Sequence, residues 1–231
     1  MGLGTPHVTI VDYGLGNLRS VSKAFGALGA SAVVSSNPWE IANADYLVLP
    51  GVGAFQDGMS GLRQRGLVEA IREFAGKERP LLGICLGMQL FMTEGFEFGH
   101  HEGLDLIPGS VVPLKPRLTV KIPHIGWSGL QGPGSDGFQG EGKIFRREWE
   151  GTILEKIEAG SEVYFVHSYV AEPKTGEFIL ASSVYGGGEF CAVVQKDNIT
   201  GCQFHPEKSG RVGLEMLKRF FTMPLGMGRL S

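Results

Sequence analysis

An α/β fold, with an open, mixed and mostly parallel central sheet flanked by helices, is predicted by three features of the chain. Apolar runs alternate with segments of helical spacing through residues 8–90, several of those runs end directly in glycine-rich turns, and the second half breaks into short strand-like pieces. Alternating strands and helices favour parallel pairing through crossover helices, and open sheets of this kind bind their ligands at the carboxyl ends of the strands.

Residues 8–12, Val8-Thr-Ile-Val-Asp12, read as the first strand, and Tyr13-Gly-Leu-Gly-Asn17 as the turn into a helix reaching about residue 28. That turn begins like a dinucleotide fingerprint, but Arg19 stands where the third glycine is required, which argues against a nucleotide. A second strand is expected over 32–34, and a third over 46–49 that runs into Pro50-Gly-Val-Gly53. Leu62, Leu67, Ile71 and Phe74 give 59–76 a helical spacing, with Gly61 and Gly66 as weak points or breaks. Residues 81–84 form the next strand, with a helix after Cys85. From residue 104 the pieces 106–114, 120–127, 162–166, 178–184, 191–196 and 199–202 are strand-like, and 212–221 closes the chain as a helix. The chain reads as a single domain, 1–231, in which 129–160 is a surface insertion, its first part rich in Gly, Ser, Gln and Asp.

Composition excludes several roles. A hydrophobic fraction of 42%, a charged fraction of 19% and a net charge of -3 describe a soluble globular chain without a basic footprint for nucleic acid or a membrane surface. The three cysteines, 85, 191 and 202, make no CxxC pair and no even framework, which fits a reducing, cytoplasmic setting. No apolar run approaches the ~20 residues of a membrane span, and the N-terminus carries no basic region followed by an apolar one. The adjacent His100 and His101 are poorly arranged to chelate one metal, so no metal is expected.

The chemistry centres on residues 80–90. Cys85 falls where a buried-strand pattern meets a helical one, flanked by Gly83 and Gly87. This glycine-x-nucleophile-x-glycine spacing suits a sharp, strained strand-to-helix turn that exposes its central residue. The start of the following helix favours a thiolate there, and the amide of Leu86 could face an oxyanion. A small buried core cysteine between turn-forming glycines satisfies the same local pattern. Gln203-Phe-His-Pro-Glu207 supplies what a thiol nucleophile needs: His205 as base and Glu207 to orient it, two residues apart beyond a strand. A proline turn carrying a surface histidine is the alternative reading.

Taken together, Gly83-Ile-Cys-Leu-Gly87 with Met88 and Gln89, Pro50-Gly-Val-Gly53, and His205-Pro-Glu207 resemble the catalytic signature of class I glutamine amidotransferases. Within them, Asp12-Tyr-Gly-Leu-Gly-Asn-Leu18, Pro123-His-Ile-Gly-Trp127, Tyr164-Phe-Val-His-Ser-Tyr169 and Phe204-His-Pro-Glu-Lys208 resemble the glutaminase subunits of imidazole glycerol phosphate synthases. Ser128 departs from the asparagine usual in that family.

The resemblance implies a flavodoxin-like fold, L-glutamine as substrate, no cofactor, and a Cys85, His205, Glu207 triad that works through a γ-glutamyl thioester. It implies oxyanion donors at Leu86 and in the Val52 and Gly53 loop, and substrate contacts at Gln89, Ser168 and Tyr169. It further implies a heterodimer with a (β/α)8-barrel cyclase, which uses the ammonia to make imidazole glycerol phosphate and aminoimidazole carboxamide ribonucleotide, with Pro123, His124, Trp127 and Lys208 at the interface. His167 is left outside the catalytic set as a core histidine. A glutaminase of another pathway, such as pyridoxal phosphate synthesis, or a non-catalytic scaffold of the same fold are the rival readings. The intact triad speaks against the scaffold.

Overall fold

The computed structural model describes residues 6–132 and 149–223. Its elements run β1 (His7–Val11), α1 (Leu18–Ala27), β2 (Ser31–Ser35), α2 (Pro38–Ala42), β3 (Tyr46–Gly51), α3 (Phe55–Gln64), α4 (Leu67–Ala75), β4 (Leu81–Cys85) and α5 (Leu86–Leu90). There follow β5 (Met92–Gly95), β6 (His101–Glu102), β7 (Ile107–Pro113), β8 (His124–Gly129), β9 (Glu162–His167), β10 (Tyr169–Pro173), β11 (Ile179–Tyr185), β12 (Gly188–Lys196), β13 (Ile199–Cys202) and α6 (Gly210–Thr222).

Seven strands form the main sheet in the order β11, β12, β13, β4, β3, β1, β2. Pairing is parallel from β13 through β2 and antiparallel from β11 to β13, so the sheet is mixed and mostly parallel, as expected. The central β3 and β4 are buried at every residue, which is why they read as unbroken apolar runs rather than alternating ones. Edge strand β2 instead leaves Val33 and Val34 exposed. Each face of the sheet carries its own core. Phe25, Phe220 and Phe221 of α1 and α6 interlock on one side, and Phe55, Leu62, Ile71 and Phe74 of α3 and α4 pack on the other. Two smaller sheets, β10-β7-β5-β6 and β8-β9, complete the second half.

The helices and strands sharpen the expected bounds. Of the two glycines in 59–76, Gly66 is the break: it takes a left-handed conformation (φ 66°) at the junction of α3 and α4. Gly61 does not break its helix; it lets α3 lie against the main chain of Tyr13, where a Cβ would collide. The strand expected over 120–127 begins only at His124, since Pro123 has no N–H to offer a ladder.

The segment 129–160 is not a surface insertion at its ends. Leu130, Ile153 and Leu154 are fully buried in the core, and Trp149 Nε1 donates to the Leu180 carbonyl at 2.9 Å. Apolar side chains on both flanks had to be covered, and the sheet covers them; residues 133–148 lie outside the described residues.

Helix α2 and strands β5, β6 and β10 were not anticipated. The first carried a readable signal, Asn37 capping Trp39 N at 2.9 Å with Pro38 in the first turn.

Candidate active site

Register places the chemistry. Cys85 ends β4 and pairs with Gly51 at the end of β3. On the other flank Cys202 of β13 pairs with Ile84, so Gln203 to His205 leave the sheet beside the same strand end. The Gly51 turn, Cys85 and His205 therefore meet at one carboxyl edge.

The turn at Cys85 is strained: its φ of 53° and ψ of -106° are unusual for a residue with a side chain, a cost on the order of 1–3 kcal/mol that surrounding packing must hold. Its flanking glycines explain how. A Cβ on Gly87 would run into the Leu49 carbonyl, and one on Gly83 would lie 2.5 Å from the Phe91 ring and 2.7 Å from Met88 N. Only glycine lets α5 seat so closely on β3 and β4, and that seating fixes the elbow.

His205 and Glu207 are buried together, with side chains 2% and 1% exposed and Nδ1 to Oε1 at 3.0 Å. The turn that carries them is pinned from two sides. Ser209 Oγ donates to the His205 carbonyl at 2.7 Å and accepts from Tyr164 N at 3.0 Å, and His205 N donates to the Tyr164 carbonyl at 2.9 Å. Glycine at 213 lets α6 press against Pro206.

Burial opposes a charged imidazole, but the partners Cys85 and Glu207 outweigh it and raise the His205 pKa to about 9. Nε2 makes no hydrogen bond within normal distance and angle limits; the sulfur is near enough to favour its proton without forming a settled contact. The arrangement suits a base that takes a proton from the sulfur and later returns it.

Beside the sulfur opens a cavity of about 290 Å³, lined among others by Val52, Gly53, Leu86, Gln89, Ser168 and Tyr169. The expected oxyanion and substrate residues thus share one pocket with Cys85. Gly53 is left-handed (φ 114°), and a Cβ there would make only ordinary contact with Leu15 Cδ1 at 4.0 Å, whereas a Cβ on Gly51 would collide with the Tyr13 hydroxyl. The two glycines serve different ends: Gly51 is needed for close packing, and Gly53 for its backbone conformation.

Pro123 also lines this pocket. Trp127 is 52% exposed and Lys208 is exposed, its Nζ 5.9 Å from the Tyr164 ring. His124 is a correction. Its side chain is 1% exposed and stacks on Tyr185 at 4.0 Å, because alternation along β8 turns it inward while Ile125 and Trp127 turn out. It cannot present its ring to a partner.

Glu97, Val166 and His167 also stand in the pocket wall. Nothing in the local sequence singles out Glu97 from Glu94 and Glu102 nearby. His167 is a satisfied histidine: Nδ1 faces the Tyr169 carbonyl at 3.0 Å and Nε2 faces His124 Nδ1 at 3.2 Å. Burial, then the neighbouring His124, lower its pKa to about 3. Ser128 hydrogen-bonds the far nitrogen of His124 at 3.2 Å, so the residue that departs from the family pattern ends a polar chain leading inward. Among the described residues, no cluster of His, Cys, Asp or Glu is placed to hold a metal ion, and no helix is long and apolar enough to cross a membrane.

The glutamine amidotransferase class-I model matches residues 9–223. The imidazole glycerol phosphate synthase subunit HisH 1 of Legionella pneumophila (strain Paris) is 50% identical over 94% of this chain and 99% of its own. The HisH subunit of Geobacter sulfurreducens is 45% identical over 94% and 98%. Among solved structures, a glutamine amidotransferase crystal structure superposes with a TM-score of 0.65 at 18% identity, covering 93% of this chain and 96% of that one. PurLQS from Thermotoga maritima superposes with a TM-score of 0.65 at 16% identity, covering 94% and 97%. With likeness running through nearly the whole length of both partners, the chain belongs to the class-I glutamine amidotransferase family, in the company of the HisH subunits.

Proposed function

We propose that the chain is the glutaminase subunit of an imidazole glycerol phosphate synthase. It hydrolyses glutamine and delivers ammonia to a (β/α)8-barrel cyclase partner in the cytoplasm, in histidine biosynthesis. The observation that carries the chemistry is the buried His205–Glu207 pair beside a strained Cys85, at the mouth of a glutamine-sized pocket.

His205 takes the thiol proton, and the sulfur attacks the side-chain amide carbon of glutamine. The tetrahedral oxygen is stabilised by the Leu86 amide and by an amide of the Val52 and Gly53 turn. The carbon–nitrogen bond then breaks as His205 returns the proton to the departing nitrogen, releasing ammonia and leaving the γ-glutamyl thioester. Water attacks that thioester with His205 again taking a proton, and glutamate departs as the thiolate reforms. Glu207 holds the imidazole so that Nε2 faces the sulfur.

Gln89, Ser168 and Tyr169 line the part of the pocket that receives the amino-acid end, and the Glu97 carboxylate offers a counter-charge for its ammonium group. The exposed Ile125 and Trp127 of β8, with Pro123 and Lys208, form the face for the cyclase.

The test is glutamine hydrolysis with and without the cyclase and its ribonucleotide ligand. Turnover should rise on adding both and vanish in Cys85→Ala. Ammonia release that survives the substitution would refute the mechanism.

A further inference from the structure

We propose that Gln203 is a positioning residue for the nucleophile: its side-chain amide donates to the sulfur of Cys85 and stabilises the thiolate, in an orientation imposed by Gln89.

Gln203 is completely buried. It follows Cys202, the last residue of β13, which pairs beside β4, so its side chain enters the site from the strand adjoining the elbow. Nε2 lies 3.6 Å from Cys85 Sγ, and Oε1 accepts from Gln89 Nε2 at 3.0 Å.

The polarity of this chain is set by the backbone. Gln89 Nε2 also donates to the Tyr169 carbonyl at 3.1 Å, and a carbonyl can only accept, so Gln89 must keep its nitrogen at that end. Gln203 must then turn its oxygen toward Gln89, which leaves its NH2 group for the sulfur.

The Val166 carbonyl also lies 3.9 Å from the sulfur; it can take an S–H hydrogen but offers nothing to an anion. Gln203 does the reverse, since an N–H donor binds the charged form more strongly than the neutral one. His205 cannot fill this role throughout the cycle, because it must surrender its proton to the leaving nitrogen. An amide donates without transferring its proton, so its help persists each time the thiolate is a nucleophile or a leaving group. Gln89 lines the substrate pocket, so a substrate that touches it acts on the sulfur through Gln203.

The proposal rests on Cys85 as nucleophile, and its test is therefore read on the thiol itself, in the full chain without glutamine or cyclase. The pH profile of alkylation by iodoacetamide is measured with Cys85→Ala as blank. Gln203→Met keeps the side-chain length and removes the donor; its alkylation midpoint should move up by about one pH unit, the worth of a hydrogen bond to a charged group. Gln203→Glu should move it further, since an anionic group then faces the sulfur. An unshifted midpoint in folded Gln203→Met overturns the proposal.

A second readout needs no substitution at Gln203. In 15N-labelled wild-type protein its side-chain amide protons should shift downfield across the same pH range as alkylation and stay flat in Cys85→Ala. An amide indifferent to the thiol's titration overturns the proposal as well. Normal thiol titration without glutamine turnover in the complex would instead count against the glutaminase reading.

Discussion

Gly51 and Cys85 pair across neighbouring parallel strands, so the turn proposed to hold the oxyanion begins on the rung beside Cys85. Gly51 itself is locked by close packing. A Cβ there would meet the Tyr13 hydroxyl and would lie 2.8 Å from Leu86 Cβ. Gly53, two residues on, is exposed, and a Cβ there would meet nothing closer than Leu15 Cδ1 at 4.0 Å. If the turn moves, Gly53 is its hinge and Gly51 its anchor.

Gly51→Ala should accordingly lower stability by about 1–3 kcal/mol, the usual cost of overpacking. Gly53→Val should also lower the thermal midpoint, because a β-branched residue is strained at φ 114°, and should reduce stimulation of glutamine hydrolysis by the cyclase, an effect Gly51→Ala need not share. The Tyr13 hydroxyl is buried without a partner, so Tyr13→Phe removes a group that gains nothing from folding and should partly rescue Gly51→Ala. Thermal melts of the three variants and the double mutant check this, and a Gly53→Val protein that is fully stimulated removes the hinge.

Stability should peak near neutral pH, for opposite reasons on the two sides. His205 has its pKa raised from 6.5 to about 9, so its contribution is complete below 6.5 and is lost as pH rises through about 9. His124 and His167 are held neutral, mainly by burial, with pKa values lowered to about 4 and about 3. Their contribution is complete above 6.5 and is lost as pH falls toward those values. Glu207→Gln removes a charge that raises the His205 value, so the alkaline limb should flatten in thermal melts taken across pH while the acid limb stays. An alkaline limb unchanged in Glu207→Gln would detach that limb from this pair.

Trp127 and His124 lie three residues apart on β8 and should fail in different assays. Trp127 is 52% exposed, so Trp127→Ala should spare the thermal midpoint and weaken cyclase binding at least about thirtyfold, the effect of a loss of ~2 kcal/mol at an interface hot spot. His124→Ala empties a stacked, buried site and should lower the thermal midpoint. Calorimetric titration with the cyclase, alongside melts, separates the two.

How much of this was legible beforehand depended on whether a residue's role was local. The elbow glycines, Cys85, His205 and Glu207 announce themselves because their spacing follows from the backbone geometry of a single turn. The parallel strands were legible because burial on both faces leaves an unbroken apolar run. His124 was misplaced because its inward direction depends on where β8 begins, and Pro123 sets that start. The core role of Leu130, Ile153 and Leu154 was obscured by the polar stretch between them. Glu97 was invisible because only the antiparallel and parallel pairings of β5 with β6 and β7 bring it back over a pocket built from β3 and β4.

Glu97 gives the sharpest separation of binding from chemistry. Its Oε2 accepts from Phe55 N at 2.8 Å, so the carboxylate both caps the start of α3 and lines the pocket. Glu97→Gln keeps an oxygen for the Phe55 amide and removes the charge, which isolates the second role from the first. A charge-assisted contact with the substrate ammonium contributes roughly 1.5–3 kcal/mol, so KM for glutamine should rise about ten- to a hundredfold. The reacting amide lies at the other end of the substrate, so kcat should fall far less, because loss of binding common to ground and transition states raises KM alone. Steady-state kinetics of the stimulated complex decide it: a fall in kcat at unchanged KM would move Glu97 out of substrate recognition and leave it only the cap of α3.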